Sequence, residues 1–257
     1  MIDILSIFAN TKPVVGVIHS RGDSPEDAAA LAEKEIKAYY ENGLDGILVE
    51  TYFGNYHNAA AILELLRRKK LPVPYGINCL NIDAMTFEMA NDYGCAFMQI
   101  DSVVGHVKPR DEASLGEFFR RFRARTGAAL MGGVRFKYQP VLSENTLEED
   151  LHIAMDRCDC ICVTQDATGQ ETSPERIRTF KDVIGAFPLF VCAGVTPDNV
   201  TEQLGIADGA VVGSYFKDNY RDTGIVCGGH VKEIMDRVRM LRQAAQPQYS
   251  RTVSERL

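Results

Sequence analysis

The chain has 257 residues, 46% of them hydrophobic and 25% charged, with a formal net charge of −7. That length can bury one large core, and an acidic balance without a long basic run speaks against a nucleic-acid backbone as partner. No apolar run reaches the ~18 residues of a membrane span, and the N-terminus lacks a basic segment followed by an apolar one, so a cytoplasmic location is expected.

In chain order, Ile2-Asp3-Ile4-Leu5-Ser6-Ile7-Phe8 reads as a short helix. Strand-like apolar runs then recur: Val14 to His19, Gly46 to Glu50, Val73 to Asn78, Ala96 to Asp101, Leu130 to Lys137, Cys160 to Thr164, Leu189 to Cys192 and Gly209 to Gly213. They are nearly continuous in apolar character, as strands covered on both faces are. Helix-start signals separate them. Ser24-Pro25, Ser173-Pro174 and Thr196-Pro197 each offer a hydroxyl N-cap followed by proline, and Thr146 to Glu149 is a capping box. An aspartate precedes three of the runs, at Asp45, Asp159 and Asp208.

Eight repeated strand–helix units with right-handed crossovers close into a (β/α)₈ TIM barrel, an α/β fold in a single domain. An open doubly wound sheet is the runner-up. The barrel is expected over residues 1–243, with a polar tail at 244–257. The seven cysteines sit mostly inside apolar runs and read as reduced thiols. Cys158, Cys160 and Cys162 alternate and so share one strand face, a poor geometry for a three-thiolate metal site.

In such a barrel the chemistry lies where the strands end. The polar groups closing the runs are His19, Glu50, Asn78, Asp101, Arg135 with Lys137, Thr164 with Asp166, and Gly213 with Ser214. Ionisable groups at so many apolar strand ends must be hydrated or paired, which marks a functional rim rather than packing. Glu50 and Asp101 suit general acid/base work at a glycosidic carbon, or could bind a divalent cation with His19. Two residues after Arg135, Lys137 is expected on the same face, stabilising charge in preference to forming a Schiff base. Asp166-Ala167-Thr168-Gly169 suits a ribose or phosphate but is also ordinary loop composition. Gly194 before Thr196, with Gly213-Ser214 and Lys217 after the last strand, suits an anion; simple helix capping is the alternative. No GxGxxG, P-loop or HExxH pattern occurs.

Several of these motifs, in this order, resemble the BtpA/SgcQ family: GVIH at Gly16 to His19, LDGILVE at Leu44 to Glu50, GINCL at Gly76 to Leu80, VTQDATG at Val163 to Gly169, GVTPDN at Gly194 to Asn199 and DGAVVGS at Asp208 to Ser214. The resemblance spans Lys12 to Arg239. It implies a TIM barrel and a lysine in the position of Lys137; for function it offers photosystem I biogenesis in some members and a nucleosidase label in others. The chain departs from the family pattern at Ser20 to Pro25, where an apolar, proline-rich stretch is usual, and at Thr51, Asn81 and Gln99. The last two stand where arginines are expected, so a second anion site would be weaker.

The expected function is therefore an enzyme acting on a phosphorylated sugar or nucleoside-like small molecule, a hydrolase or lyase cleaving at an anomeric carbon. Glu50, Asp101, Lys137 and His19 would be catalytic. Asn78, Arg135, Thr164, Asp166, Thr168, Gly169, Gly194, Thr196, Gly213, Ser214 and Lys217 would bind substrate. No cofactor is required, although a divalent metal fits the residue types, and a homo-oligomer is expected. The competing reading is a non-catalytic assembly factor using the barrel as a binding platform.

Overall fold

The computed structural model describes residues 1–105 and 108–245. Within them the strands are β1 (Val14–His19), β2 (Gly46–Glu50), β3 (Tyr75–Asn78), β4 (Phe97–Ile100), β5 (Ala129–Gly133), β6 (Cys160–Val163), β7 (Leu189–Val191) and β8 (Gly209–Val212). Each pairs in parallel with the next, and β8 closes on β1 through Val14↔Ala210, so the sheet is a closed eight-stranded barrel in one domain. The helices alternate with the strands: α1 (Pro25–Glu41), α2 (Tyr56–Lys69), α3 (Asp83–Asp92), α4 (Glu112–Arg123), α5 (Leu147–Met155), α6 (Pro174–Ile184), α7 (Val200–Ile206) and α8 (Gly228–Ala245). Two residues of the expected tail, Ala244 and Ala245, belong to α8, and 246–257 lie outside the described residues.

Two apolar layers hold this arrangement. Outward strand residues such as Ile18, Ile47, Val49, Ile77, Met98, Leu130 and Ile161 pack against the helices. Inward residues, among them Val15, Val17, Leu48, Phe97, Met131, Cys160, Phe190 and Val211, fill the barrel. The N-terminal segment forms a 3₁₀ turn at Ile4–Ile7, and Ile4 and Phe8 plug the bottom, with Phe8 5.8 Å from Phe97 and 6.2 Å from Phe190 between ring centroids.

The three aspartates before strands have one job in common. Asp45 accepts from the Val14 N–H at 2.8 Å, Asp159 from Leu130 N–H at 2.8 Å and Asp208 from Leu189 N–H at 3.0 Å. Each thus ties the start of one strand to the start of the next, and each is neutralised by a cation, Arg242, Arg123 and Lys181 respectively.

Ser24, Thr146 and Ser173 cap α1, α5 and α6 as their sequences indicate. Thr196 does not cap α7. Asn199 stands at the N-cap position but makes no side-chain cap bond; its Oδ1 accepts from Thr196 N–H at 2.8 Å and its Nδ2 donates to Gly194 O at 2.9 Å, tying the preceding bend, and the helix begins only at Val200. The strand expected to reach Lys137 stops at Gly133, where an added Cβ would lie 2.1 Å from Asp101 O; the chain then turns away, with Arg135 in the left-handed region at φ 47°. Cys158 precedes β6 and packs in the outer layer, while Cys160 and Cys162 face inward. The cysteines are free thiols, and all but Cys227 are buried.

Candidate active site

Strand register assembles the site. His19 on β1 lies beside Glu50 on β2, and Glu50 beside Asn78 on β3. Ile77 pairs with Met98, so Asn78 comes level with Gln99 on β4, and Asp101 follows two residues on along the same face. Four neighbouring strands therefore deliver five polar groups to one arc of the mouth. They line or border a cavity of ≈ 250 Å³ whose wall includes His19, Glu50, Tyr52, Gln99, Asp101, Phe136, Lys137, Tyr138, Thr168, Gly169, Cys192, Gly194, Gly213, Ser214 and Asp222.

Hydrogen bonds fix that arc. Asn78 Nδ2 donates to Asp101 Oδ1 at 2.9 Å and to Gln99 Oε1 at 3.2 Å. Gln99 Nε2 in turn points at the sulfurs of Cys162 and Cys192, 3.6 and 3.8 Å away, weak partners that mark the floor of the cavity. His19 Nε2 is 3.6 Å from Glu50 Oε2, and its Nδ1 is 2.9 Å from the carbonyl oxygen of Asp222. Tyr52 and Phe53 pack their rings against the imidazole.

The two carboxyls are displaced in opposite directions. Burial pushes Asp101 up to about 6, assisted by the charge of Glu50 and opposed by the Asn78 hydrogen bond. Burial also pushes Glu50 up, but the adjacent His19 imidazole, with the charges of Lys137 and Lys217, outweighs it and holds Glu50 below the ordinary carboxylate range. At neutral pH the site therefore holds an ionised Glu50 beside a carboxyl that gives up its proton far less readily, the division of labour that acid/base chemistry needs.

The remaining predicted residues divide. Asn78 supports Asp101, and Lys137 stands in the cavity wall, its backbone N–H donating to Thr164 Oγ1 at 2.7 Å. Thr164 is thus a fully buried support for the lysine loop and not a rim group. Thr168, Gly169, Gly194, Gly213 and Ser214 reach the cavity. All but Thr168 of these, with Thr196, also line an adjoining recess of ≈ 270 Å³. Three further assignments need correction. Arg135 and Lys137 do not share a face: Arg135 is drawn outward by Asp150, with Nε 3.0 Å from Oδ2, and by Asn145 O. Lys217 is 1% exposed and donates to Glu35 Oε1 at 3.0 Å behind the barrel wall, so it offers nothing to an anion in the mouth. Asp166 is exposed outside the cavity lining; its carbonyl accepts from Tyr138 N–H.

Gln99, Tyr52, Tyr138 and Asp222 line the cavity without being among the sequence-predicted site residues. Gln99 had a signal, being two residues before Asp101 on one strand. Asp222 had none, because it acts through its backbone carbonyl from 203 residues away. Among the described residues no group of three or more His, Cys, Asp or Glu side chains is placed to hold a metal ion, and no helix is long and apolar enough to cross a membrane.

Among solved structures, the chain superposes on one described as native KDPGal with a TM-score of 0.63 at 14% identity, covering 90% of this chain and 96% of that one. It also matches the N-acetylmannosamine-6-phosphate 2-epimerase of Clostridium perfringens with a TM-score of 0.52 at 15% identity, covering 82% and 89%. At those identities the likeness is one of fold. In sequence it is 26% identical to an uncharacterized protein of Pyrococcus furiosus, over 81% of this chain and 87% of that protein. It is 25% identical to the photosystem I biogenesis protein BtpA of Synechocystis, over 93% and 88%. The BtpA family model matches residues 10–240, and the chain therefore belongs to the BtpA family.

Proposed function

We propose that the protein is an enzyme that cleaves a bond at the anomeric carbon of a small phosphorylated sugar or nucleoside-like compound. Asp101, in its protonated form, donates to the leaving atom. Glu50, ionised, activates water or stabilises the positive charge that develops on the sugar ring. His19 exchanges a proton with Glu50, and Asn78 and Gln99 hold Asp101 and a substrate hydroxyl in place. Lys137 offsets negative charge that builds up as the bond breaks. The recess bounded by Gly169, Gly194, Thr196, Gly213 and Ser214 accepts the phosphate through backbone N–H groups, since Lys217 is spent on Glu35.

The observation that carries this reading is the opposite displacement of the two carboxyls in one cavity. Solved structures of the same fold include an enzyme named for a phosphorylated sugar, an analogy of fold alone. The test is a panel of phosphorylated sugars and nucleosides assayed for released base or reducing sugar. Turnover that collapses in both Glu50→Gln and Asp101→Asn supports the assignment; turnover that survives both removes it.

One observation favours a second reading, a binding platform: Tyr52, Phe53, Ile82, Tyr138, Val141 and Tyr220, all on loops after strands, are each 39–69% exposed. The Synechocystis relative is a photosystem I biogenesis protein by name, which fits such a role. That reading requires that substitutions at Tyr138 and Val141 abolish function while Glu50→Gln does not.

A further inference from the structure

The segment from Lys217 to Cys227, between β8 and α8, folds back on itself as a strap beside the barrel mouth. Lys217 and Val226 form an antiparallel bridge, Asp218 N–H donates to Ile225 O at 2.8 Å, and Ile225 N–H donates to Asp218 Oδ1 at 3.0 Å. Its root is fixed inside the protein. Glu35, 2% exposed, accepts from both Lys217 Nζ and Val226 N–H at 3.0 Å, and Lys217 Nζ also donates to Val17 O. Its tip is exposed at Arg221 and Thr223, yet that is where Asp222 presents its carbonyl to His19. What keeps the tip in place comes from the loop after β1. The Arg21 guanidinium donates to Thr223 O and, at 2.9 Å, to Gly224 O, gripping the two carbonyls that follow Asp222.

A carbonyl oxygen can only accept, so the ring nitrogen bonded to Asp222 carries the hydrogen. Nε2 is then the nitrogen facing Glu50 Oε2. A free imidazole prefers the opposite tautomer, with the hydrogen on Nε2, so the arrangement must be imposed. We propose that Arg21 is a positioning residue: through the strap it holds the Asp222 carbonyl against Nδ1 and so makes Nε2 the nitrogen that takes and returns the proton beside Glu50. Arg21 does not line the cavity; it lies in the loop between β1 and α1. The catalytic consequence rests on the function proposed above. The tautomer itself does not, and it can be read without substrate.

The experiment is long-range ¹H–¹⁵N correlation of the full chain labelled at its five histidines, at a pH where the rings are neutral, with His19 assigned by loss of its signals in His19→Gln. Wild type is expected to show His19 with hydrogen on Nδ1. Arg21→Ala is expected to shift it to a mixture dominated by the Nε2–H form, and Arg21→Lys, which keeps one donor, to restore most of the Nδ1–H signal. His230 is the internal control, because its Nδ1 is 3.0 Å from Lys217 O at the root of the strap and should keep its spectrum in Arg21→Ala. Hydrogen on Nε2 in the wild type, or an unchanged His19 in Arg21→Ala, overturns the proposal. So does a change at His230, which would make Arg21 a support for the whole loop and not for its tip. Loss of turnover in Glu50→Gln bears on the proposed reaction alone, so the two ideas fail separately.

Discussion

Asp101→Asn should stabilise the protein at neutral pH while disabling it. The carboxyl titrates at about 6 in the folded chain against an ordinary 3.8, chiefly because the cavity wall strips water from it. A raised carboxyl pKa means that the native state keeps a proton which the unfolded chain has already released. Its contribution to stability is therefore complete below about pH 4 and is lost as pH rises to about 6. The gap is roughly two pH units at ~1.4 kcal/mol each, so the ionised side chain costs up to ~3 kcal/mol at pH 7. Asparagine keeps an oxygen for the 2.9 Å bond from Asn78 Nδ2 and never acquires the charge. Urea unfolding of both proteins at pH 4, 5, 6 and 7 should give curves that nearly coincide at pH 4 and diverge by ~2–3 kcal/mol at pH 7, the variant being the more stable. A difference that does not change with pH, or that grows toward acid, refutes the reasoning.

Other substitutions probe the site and its supports. Glu50→Gln should lower turnover on the true substrate by ~10²–10⁴-fold with little change in thermal melting, as measured in the panel assay and by circular dichroism. Lys217→Met leaves Glu35 buried without its cation and should cost ~3–5 kcal/mol in a denaturant melt, whereas the double variant with Glu35→Leu should recover most of that. Gly194→Ala should cost at least ~1–3 kcal/mol in the same assay, because its φ is 66° and the new methyl would sit 2.3 Å from Gln170 O.

Where the polypeptide pattern is continuous, it reads through to the structure residue by residue. Val14–His19 and Gly46–Glu50 are apolar runs closed by an ionisable group, and both occur as strands with those bounds. Ser24, Thr146 and Ser173 cap helices because the hydroxyl and the amide it serves are three residues apart, a purely local relation. Failures begin where a distant partner decides. Arg135 and Lys137 look like same-face neighbours only if the strand continues, and β5 ends at Gly133, where the close Asp101 carbonyl leaves no room for a side chain. Lys217 was drawn away by Glu35, 182 positions earlier, and no spacing rule carries that information. Thr196 does not cap α7 because the bend continues to Asn199, whose side chain bonds back to Thr196 N–H and Gly194 O instead of to the helix. The polar arc of the mouth is legible as four polar strand ends; the opposed displacements of Glu50 and Asp101 are not, because they arise from depth and from neighbours on other strands.

The aspartates at Asp45, Asp159 and Asp208 clamp strand pairs at the end of the barrel opposite the mouth. These clamps and the mouth cavity thus lie at opposite poles of the molecule. A loop above the cavity can lengthen, shorten or change its chemistry without loosening a single one of these clamps. A lineage built on this plan is free to vary one pole while inheriting its foundations unchanged at the other.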